Sequence, residues 1–355
     1  MTLPDDFAAF ILTHGRPHAQ RTLTTIRKAG YTGRCYLVVD DEDETLAEYQ
    51  KLYGDQVIVF SKREALESFD VGDNFGGAGS CIPRNAIWDL AENLGHRYFI
   101  QLDDDYYQWR FRWNEHLTHE WIPFTDLDSV LAAMLDWFRT LPEQAVTVAM
   151  SQGGDWIGGE DGHPTIYGKR KAMNSFICDT RRRFPFPGRL NEDVNAYTEV
   201  QRRGLAMFTL FQVQLLQQST QQDSGGMTDT YREVGTYVKS FYSVMRCPSA
   251  VQISYLRDRI GNDARIHHRV KYDHCAPKII PETLQKKAGQ TAVHRRSDLR
   301  RDREPGGLLQ QVGGVARLSG GDGTLRHRVG RESAGCPVGT PRPSVLPSVC
   351  PGPNR

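Results

Sequence analysis

Tyr98-Phe99-Ile100-Gln101-Leu102-Asp103-Asp104-Asp105 joins a short apolar run to three consecutive carboxylates. Side chains alternate across a strand, so a strand ending here turns Asp103 and Asp105 to one side. A hard divalent cation on a diphosphate needs such a pair, with phosphate oxygens and water completing its shell. The run therefore predicts a buried strand that delivers metal ligands, against the plainer reading of a solvated turn or cap. Further along, Asn191-Glu192-Asp193 opens a helix-like segment. Its two acids are either a capping pair favoured by the helix dipole or the source of a base for an acceptor hydroxyl. Together the two acidic groups predict metal-dependent transfer from a sugar nucleotide.

Outward from this run, strands expected at 8–13, 35–39, 56–60 and 97–102 alternate with helices at 17–29, 44–53 and 83–94. Gly30 marks a helix stop, and Pro83 suits a first helical turn. Alternation of this kind predicts an α/β fold with a mostly parallel sheet flanked by helices, binding ligands at the carboxyl ends of its strands. Residues 13–16, Asp40 and the aspartates all fall at such ends. The second half is less regular, with helices expected at 127–140 and 193–204 and strands at 146–150, 173–178 and 205–216.

The 355 residues are 39% hydrophobic and 25% charged, as in a globular protein with a sizeable core. No apolar run approaches the roughly 18 residues of a membrane span, and the N-terminus lacks the basic-then-apolar order of a signal peptide, so no membrane and a cytoplasmic location are expected. Seven cysteines stand singly, which predicts reduced thiols rather than a zinc or dithiol motif. From Pro281 on, 13 Lys/Arg face 6 Asp/Glu, which leaves residues 1–280 at −6 against the chain's +1. That balance argues against strong nucleic-acid binding by bulk charge and leaves local basic patches open. No aromatic residue follows Tyr272. The Gly/Pro/Arg-rich stretch 285–355 is expected to be a disordered tail; its character also resembles out-of-frame translation of GC-rich DNA, which resequencing the gene's 3′ end would exclude. The globular part is expected over 1–282, divided into a donor half (1–105) and an acceptor half (106–282).

Other candidates each carry a plainer reading. The glycine-rich 72–85 ends in Arg84-Asn85 at a helix start, where backbone amides and Arg84 suit a diphosphate or a uracil ring; a mobile connection is the alternative. It lacks the ending of a P-loop. His267, His268 or His274 is either a further metal ligand or structural. Trp109, Trp113, Trp121 and Trp156 are either stacking platforms or core. Arg181, Arg182 and Arg183 either contact acceptor phosphates or are solvated charge.

Thr13-His14-Gly15-Arg16-Pro17, Arg84-Asn85, the aspartate triplet and Asn191-Glu192-Asp193-Val194 occur in an order that resembles GT-A-type glycosyltransferases. More narrowly, residues 7–282 resemble the phage TET/JBP-associated glycosyltransferases, whose inferred role is to glycosylate hydroxymethylated pyrimidines in DNA. The resemblance implies a Rossmann-like GT-A fold, a UDP-sugar donor, Mn2+ or Mg2+, a DNA acceptor and work in the host cell's cytoplasm. It assigns Asp103 and Asp105 to metal and diphosphate, and Asp193 or Glu192 to the base. Thr13, Arg16, Asp40, Arg84, Asp103 and Asp104 would line the nucleotide-sugar pocket, and His267 or His268 would be a late metal ligand. A base opposite the leaving group implies inversion. Competing readings are a glycan or protein acceptor, a nucleotidyltransferase, and a nucleotide- or DNA-binding module with a decayed site.

Overall fold

The computed structural model describes residues 2–69, 79–113, 119–152, 171–218, 235, 237–257 and 264–275. Its centre is a nine-stranded sheet in the order β3-β2-β1-β4-β8-β7-β9-β5-β6. The strands are β1 (Phe7–Leu12), β2 (Arg34–Asp40), β3 (Val57–Phe60), β4 (Tyr98–Asp103), β5 (Tyr106–Trp113), β6 (His119–Pro123), β7 (Ala145–Gln152), β8 (Ser175–Asp179) and β9 (Ala206–Gln217). Seven run in one direction, and β5 and β8 oppose them.

Strand β1 is buried along its whole length, as a parallel strand covered on both faces should be. Its alternate residues feed two cores. Phe7, Ala9 and Ile11 join Ile26, Leu131 and Phe138 on one face, while Ala8, Phe10 and Leu12 join Trp88, Phe176 and Phe186 on the other. The helices that cover these faces include α1 (Arg21–Lys28), α4 (Cys81–Asn93), α5 (Leu127–Thr140) and α6 (Glu192–Arg202). From β1 the chain steps outward to β2 and β3, then returns to place β4 on the other side of β1. A sheet opens a crevice where its strand order reverses in this way. Leu12 is in register with Asp103, so Thr13 and the aspartates leave the sheet side by side.

The expected helix at 17–29 begins only at Arg21, because a turn closed by Ala19 N–H on Arg16 C=O precedes it. Elements without a sequence expectation are α3 (Lys62–Ser68), the β5–β6 hairpin, α7 (Val238–Arg246) and the antiparallel ribbon of β10 (Val251–Arg257) with β11 (Ala264–Val270). Helix α2 (Leu46–Tyr53) lies within its expected span. Cys35, Cys81, Cys178, Cys247 and Cys275 are free and buried. Among the described residues, no helix is long and apolar enough to cross a membrane. The tail 285–355, the boundary at 282, residues 72–78 of the glycine-rich loop, Trp156 and the side chains of Trp113 and Trp121 lie outside the described residues.

Candidate functional site

Two short sequence features fix the site's centre. Asn85, on α4, donates to the Phe186 carbonyl at 2.9 Å and accepts from the Phe186 N–H at 3.0 Å, which ties the turn before α6 onto α4. The neighbouring Arg84 is fully buried, with its guanidinium carbon 5.4 Å from the Phe176 ring and 5.6 Å from the Phe186 ring. It donates from Nη2 to Asp103 Oδ1 at 2.6 Å and from Nε to Glu192 Oε1 at 3.0 Å. One cation thereby bridges the end of β4 and the start of α6. Nη2 also reaches Asn174 Oδ1 at 3.2 Å.

The aspartate triplet splits as strand alternation predicts. Gln217, at the end of β9, donates from one Nε2 to Asp103 Oδ2 at 3.2 Å and Asp105 Oδ2 at 3.3 Å. Asp105 Oδ1 is buried with no hydrogen-bond partner among the described residues. Burial, then the charges of Asp103 and Asp104, push the Asp105 carboxyl up to about 7. Hard oxygen donors, a spare buried acceptor and uncompensated negative charge fit a divalent cation. Asp104 faces the other way, accepting from Thr13 Oγ1 at 2.7 Å and Arg16 Nη1 at 3.1 Å. Burial raises its carboxyl despite both partners. Tyr49 completes this loop, since its hydroxyl lies 2.7 Å from Thr13 Oγ1 and accepts from Arg16 N–H at 2.9 Å.

At the ends of β1 and β2, His14 Nδ1 is 2.8 Å from Asp40 Oδ2 and 3.3 Å from Asp43 Oδ2. The hydrogen bond to Asp40 raises the His14 pKa. Burial pushes Asp40 upward, but His14's bond and charge, with Lys62 and the Glu42 N–H, outweigh it and leave the carboxyl lowered. Among the described residues, these three form the group of metal-capable side chains whose ligand atoms all lie within 4.8 Å of one another. His14, when protonated, pairs with both carboxylates, so a metal there would compete with that proton.

Asn191 precedes α6 in the left-handed region, at φ 55°. Its Nδ2 bonds the Lys239 carbonyl at 3.0 Å and Ser243 Oγ at 3.1 Å, and lies 3.2 Å from His268 Nδ1. His268 is thus seated on the start of the acid-bearing helix, and among the described residues it makes no hydrogen bond to the aspartate triplet. Burial, then the neighbouring His267, Lys239 and Lys171, depress it to about 3, which keeps the ring neutral. Burial likewise pushes Glu192 up to about 7 against the pull of Arg84, and raises Asp193. Asp193 Oδ2 is buried with no hydrogen-bond partner among the described residues.

The expected Asp103, Asp105, Arg84 and Glu192 therefore converge, and Thr13, Arg16 and Asp104 form an adjoining group. Gln217, Asn174, Tyr49 and His14 were not among the expected site residues. The one sequence signal for Gln217 is a polar residue closing a strand. Trp109 is core, with Nε1 3.3 Å from Thr25 Oγ1. Arg182 donates to the Phe138, Leu141 and Pro142 carbonyls at the end of α5, and Arg183 pairs with Asp89 and Glu92 on α4. His274 Nδ1 sits 3.0 Å from the Ser249 carbonyl.

The sequence profile of the TET-associated glycosyltransferases matches residues 7–226. No curated protein matches the chain. Similar solved structures include glucosyl-3-phosphoglycerate synthase from Mycobacterium tuberculosis in complex with Mn2+, UDP and phosphoglyceric acid. It is 10% identical with a TM-score of 0.38, over 74% of this chain and 86% of that one. Another is the mannosyltransferase PcManGT from Pyrobaculum calidifontis in complex with GDP-Man and Mn2+, 12% identical with a TM-score of 0.39, over 69% of this chain and 65% of that one.

Proposed function

The chain belongs to the TET-associated glycosyltransferase family, and from that premise we propose that it transfers a sugar from a UDP-sugar to the 5-hydroxymethyl group of a modified pyrimidine in DNA, with inversion. The observation that carries this reading is the Arg84 bridge, which holds the strand-end Asp103 beside the α6 acids. Asp103 and Asp105 would hold Mn2+ or Mg2+. Bound there, the cation would offset the charge that develops on the departing diphosphate. Thr13, Arg16 and Asp40 lie along the crevice for the nucleoside, and Asp104 keeps Arg16 in place.

Of the two acids, Asp193 is the better base. Glu192 Oε1 is already held by Arg84, whereas Asp193 Oδ2 has no partner among the described residues. A carboxyl raised by burial also binds a hydroxyl proton more readily than a solvated one. As Asp193 takes its proton, the acceptor oxygen bonds to the sugar's anomeric carbon while that carbon's bond to the UDP oxygen breaks on the opposite face, which gives inversion. The target hydroxyl needs no base flipping, since a 5-substituent projects into the major groove.

The test is mass spectrometry of nucleosides from 5-hydroxymethylcytosine DNA incubated with the chain, Mn2+ and a panel of UDP-sugars, beside Asp105→Asn. A hexose or pentose mass added only by the parent chain supports the reading. UDP release that needs Mn2+ but adds no mass to DNA would move the acceptor to a glycan or a protein. Pyrophosphate release from a nucleoside triphosphate would make the chain a nucleotidyltransferase.

A further inference from the structure

Net charge is unevenly spread along the chain: residues 1–236 carry −11, and residues 237–275 carry +4. The second group comprises α7 and the β10–β11 ribbon, which pack together around Cys247, Ala250, Val251 and Cys275. An acidic body would repel a polyanion, while this basic segment would attract one. The segment also exposes aromatic surface. Tyr237, Phe241 and Met245 recur four residues apart and are 50%, 46% and 67% exposed, so they share one face of α7. Tyr255 on β10 is 71% exposed, and Arg269 and Lys271 are exposed at the end of β11 and just beyond it.

The segment's position adds direction. Asn191 bonds both α7 and His268 of β11, immediately ahead of Glu192 and Asp193. His268 is paired across the ribbon with Ile253. Tyr255 lies two residues beyond Ile253 and thus on the same face, roughly 7 Å further along the strand. An exposed ring therefore stands on the face of the ribbon that, through His268, meets Asn191 ahead of the proposed base. A two-stranded ribbon fits the major groove of duplex DNA, where a 5-hydroxymethyl group projects.

We propose that α7 and the β10–β11 ribbon dock the acceptor DNA, with the ribbon in the major groove, Tyr255 against the bases, and Arg269 and Lys271 on the phosphates. This rests on the reading of DNA as the acceptor. It also reconciles that reading with the acidic body, because the net positive charge belongs to the segment that Asn191 joins to the start of α6.

The experiment is fluorescence anisotropy of a labelled 5-hydroxymethylcytosine duplex across a salt series, using the full chain. The variants are Tyr255→Ala, the double Arg269→Ala/Lys271→Ala, and Arg63→Ala on α3 as a control with an exposed cation elsewhere. Far-UV circular dichroism and melting establish that each is folded. The double variant is expected to bind about tenfold more weakly and to flatten the log–log salt slope by about 2. Tyr255→Ala is expected to weaken binding by about tenfold with the slope kept, and the control to match the parent. Parent-like binding by both module variants overturns the docking surface and leaves the DNA reading standing. A parent chain that binds no DNA at low salt overturns the DNA reading and this surface with it.

Discussion

Removing Arg84 leaves the buried Glu192 and the part-buried Asp103 without their shared cation. Breaking a buried ion pair from one side typically costs about 3–5 kcal/mol, because the remaining charge has no water to return to. Arg84→Ala is therefore expected to lose stability of that order in urea denaturation, and an unfolding midpoint equal to the parent's would sink the bridge as a structural element. His14 offers a test by pH. Its raised pKa means that its pairing with Asp40 stabilises fully below the ordinary 6.5 and fades as pH rises through the raised value. Asp40, lowered, contributes above its ordinary 3.8 and loses that share as pH falls through the lowered value. In an NMR titration His14 should show a midpoint above 6.5, and Asp40→Asn should bring it down; an unmoved midpoint would refute the pairing. The sequence made the acidic residues legible because carboxylates closing an apolar run have few purposes. It could not reveal that Arg84 serves Glu192, 108 positions away, since a partner across that separation is set by the tertiary fold. Alternation set Asp104 apart from the pair beside it, but its partner Arg16, 88 positions away, could not be read for the same reason.

Element by element, legibility followed burial. The strand at β1 was readable as a short unbroken apolar run, and the helix at α5 because its apolar residues keep a helical period against a deep core. Helix α5 begins and ends where expected, and Asp126 caps it by accepting from Ser129 N–H at 3.1 Å. The ribbon and α7 were not readable, because they cover a small cluster and keep polar or aromatic residues on open faces. Asn191 joins these unforeseen elements to the predicted acid helix through its three side-chain contacts. Asn191→Ala deletes all three and places an ordinary residue in the left-handed region that Asn tolerates. The expected result is a loss of about 1–3 kcal/mol, with kcat falling more than KM for the donor changes, because the start of α6 loosens while the loop after β1, proposed to hold the nucleotide, is untouched. A variant with lowered stability but parent kcat would show that Asn191 braces the fold without positioning the acids.

At the scale of the whole molecule, the crevice gathers Asp103, Asp104, Asp105, Glu192 and Asp193, of which Arg16 pairs with Asp104 and Arg84 with Asp103 and Glu192. A UDP diphosphate entering alone would meet this negative charge, and a divalent cation entering alone would lack the phosphate oxygens that complete its shell. Each ligand should therefore bind better in the presence of the other, and by linkage the coupling must be equal in both directions. A ligand that binds only the folded chain raises stability by about 2.7 kcal/mol at a hundred times its Kd. The melting temperature should accordingly rise little with Mn2+ or UDP alone, rise by several degrees with both, and return to the apo value with EDTA. Because Asp105 is held near 7 and must be ionised to bind a cation, the joint shift should be larger at pH 8 than at pH 6. Asp105→Asn should remove both the Mn2+ dependence and the difference between the two pH values. If UDP stabilised the chain equally with Mn2+ and with EDTA, the triplet would not be a metal-diphosphate site, and the role of Asp103 and Asp105 would have to be sought in the Arg84 and Gln217 contacts alone.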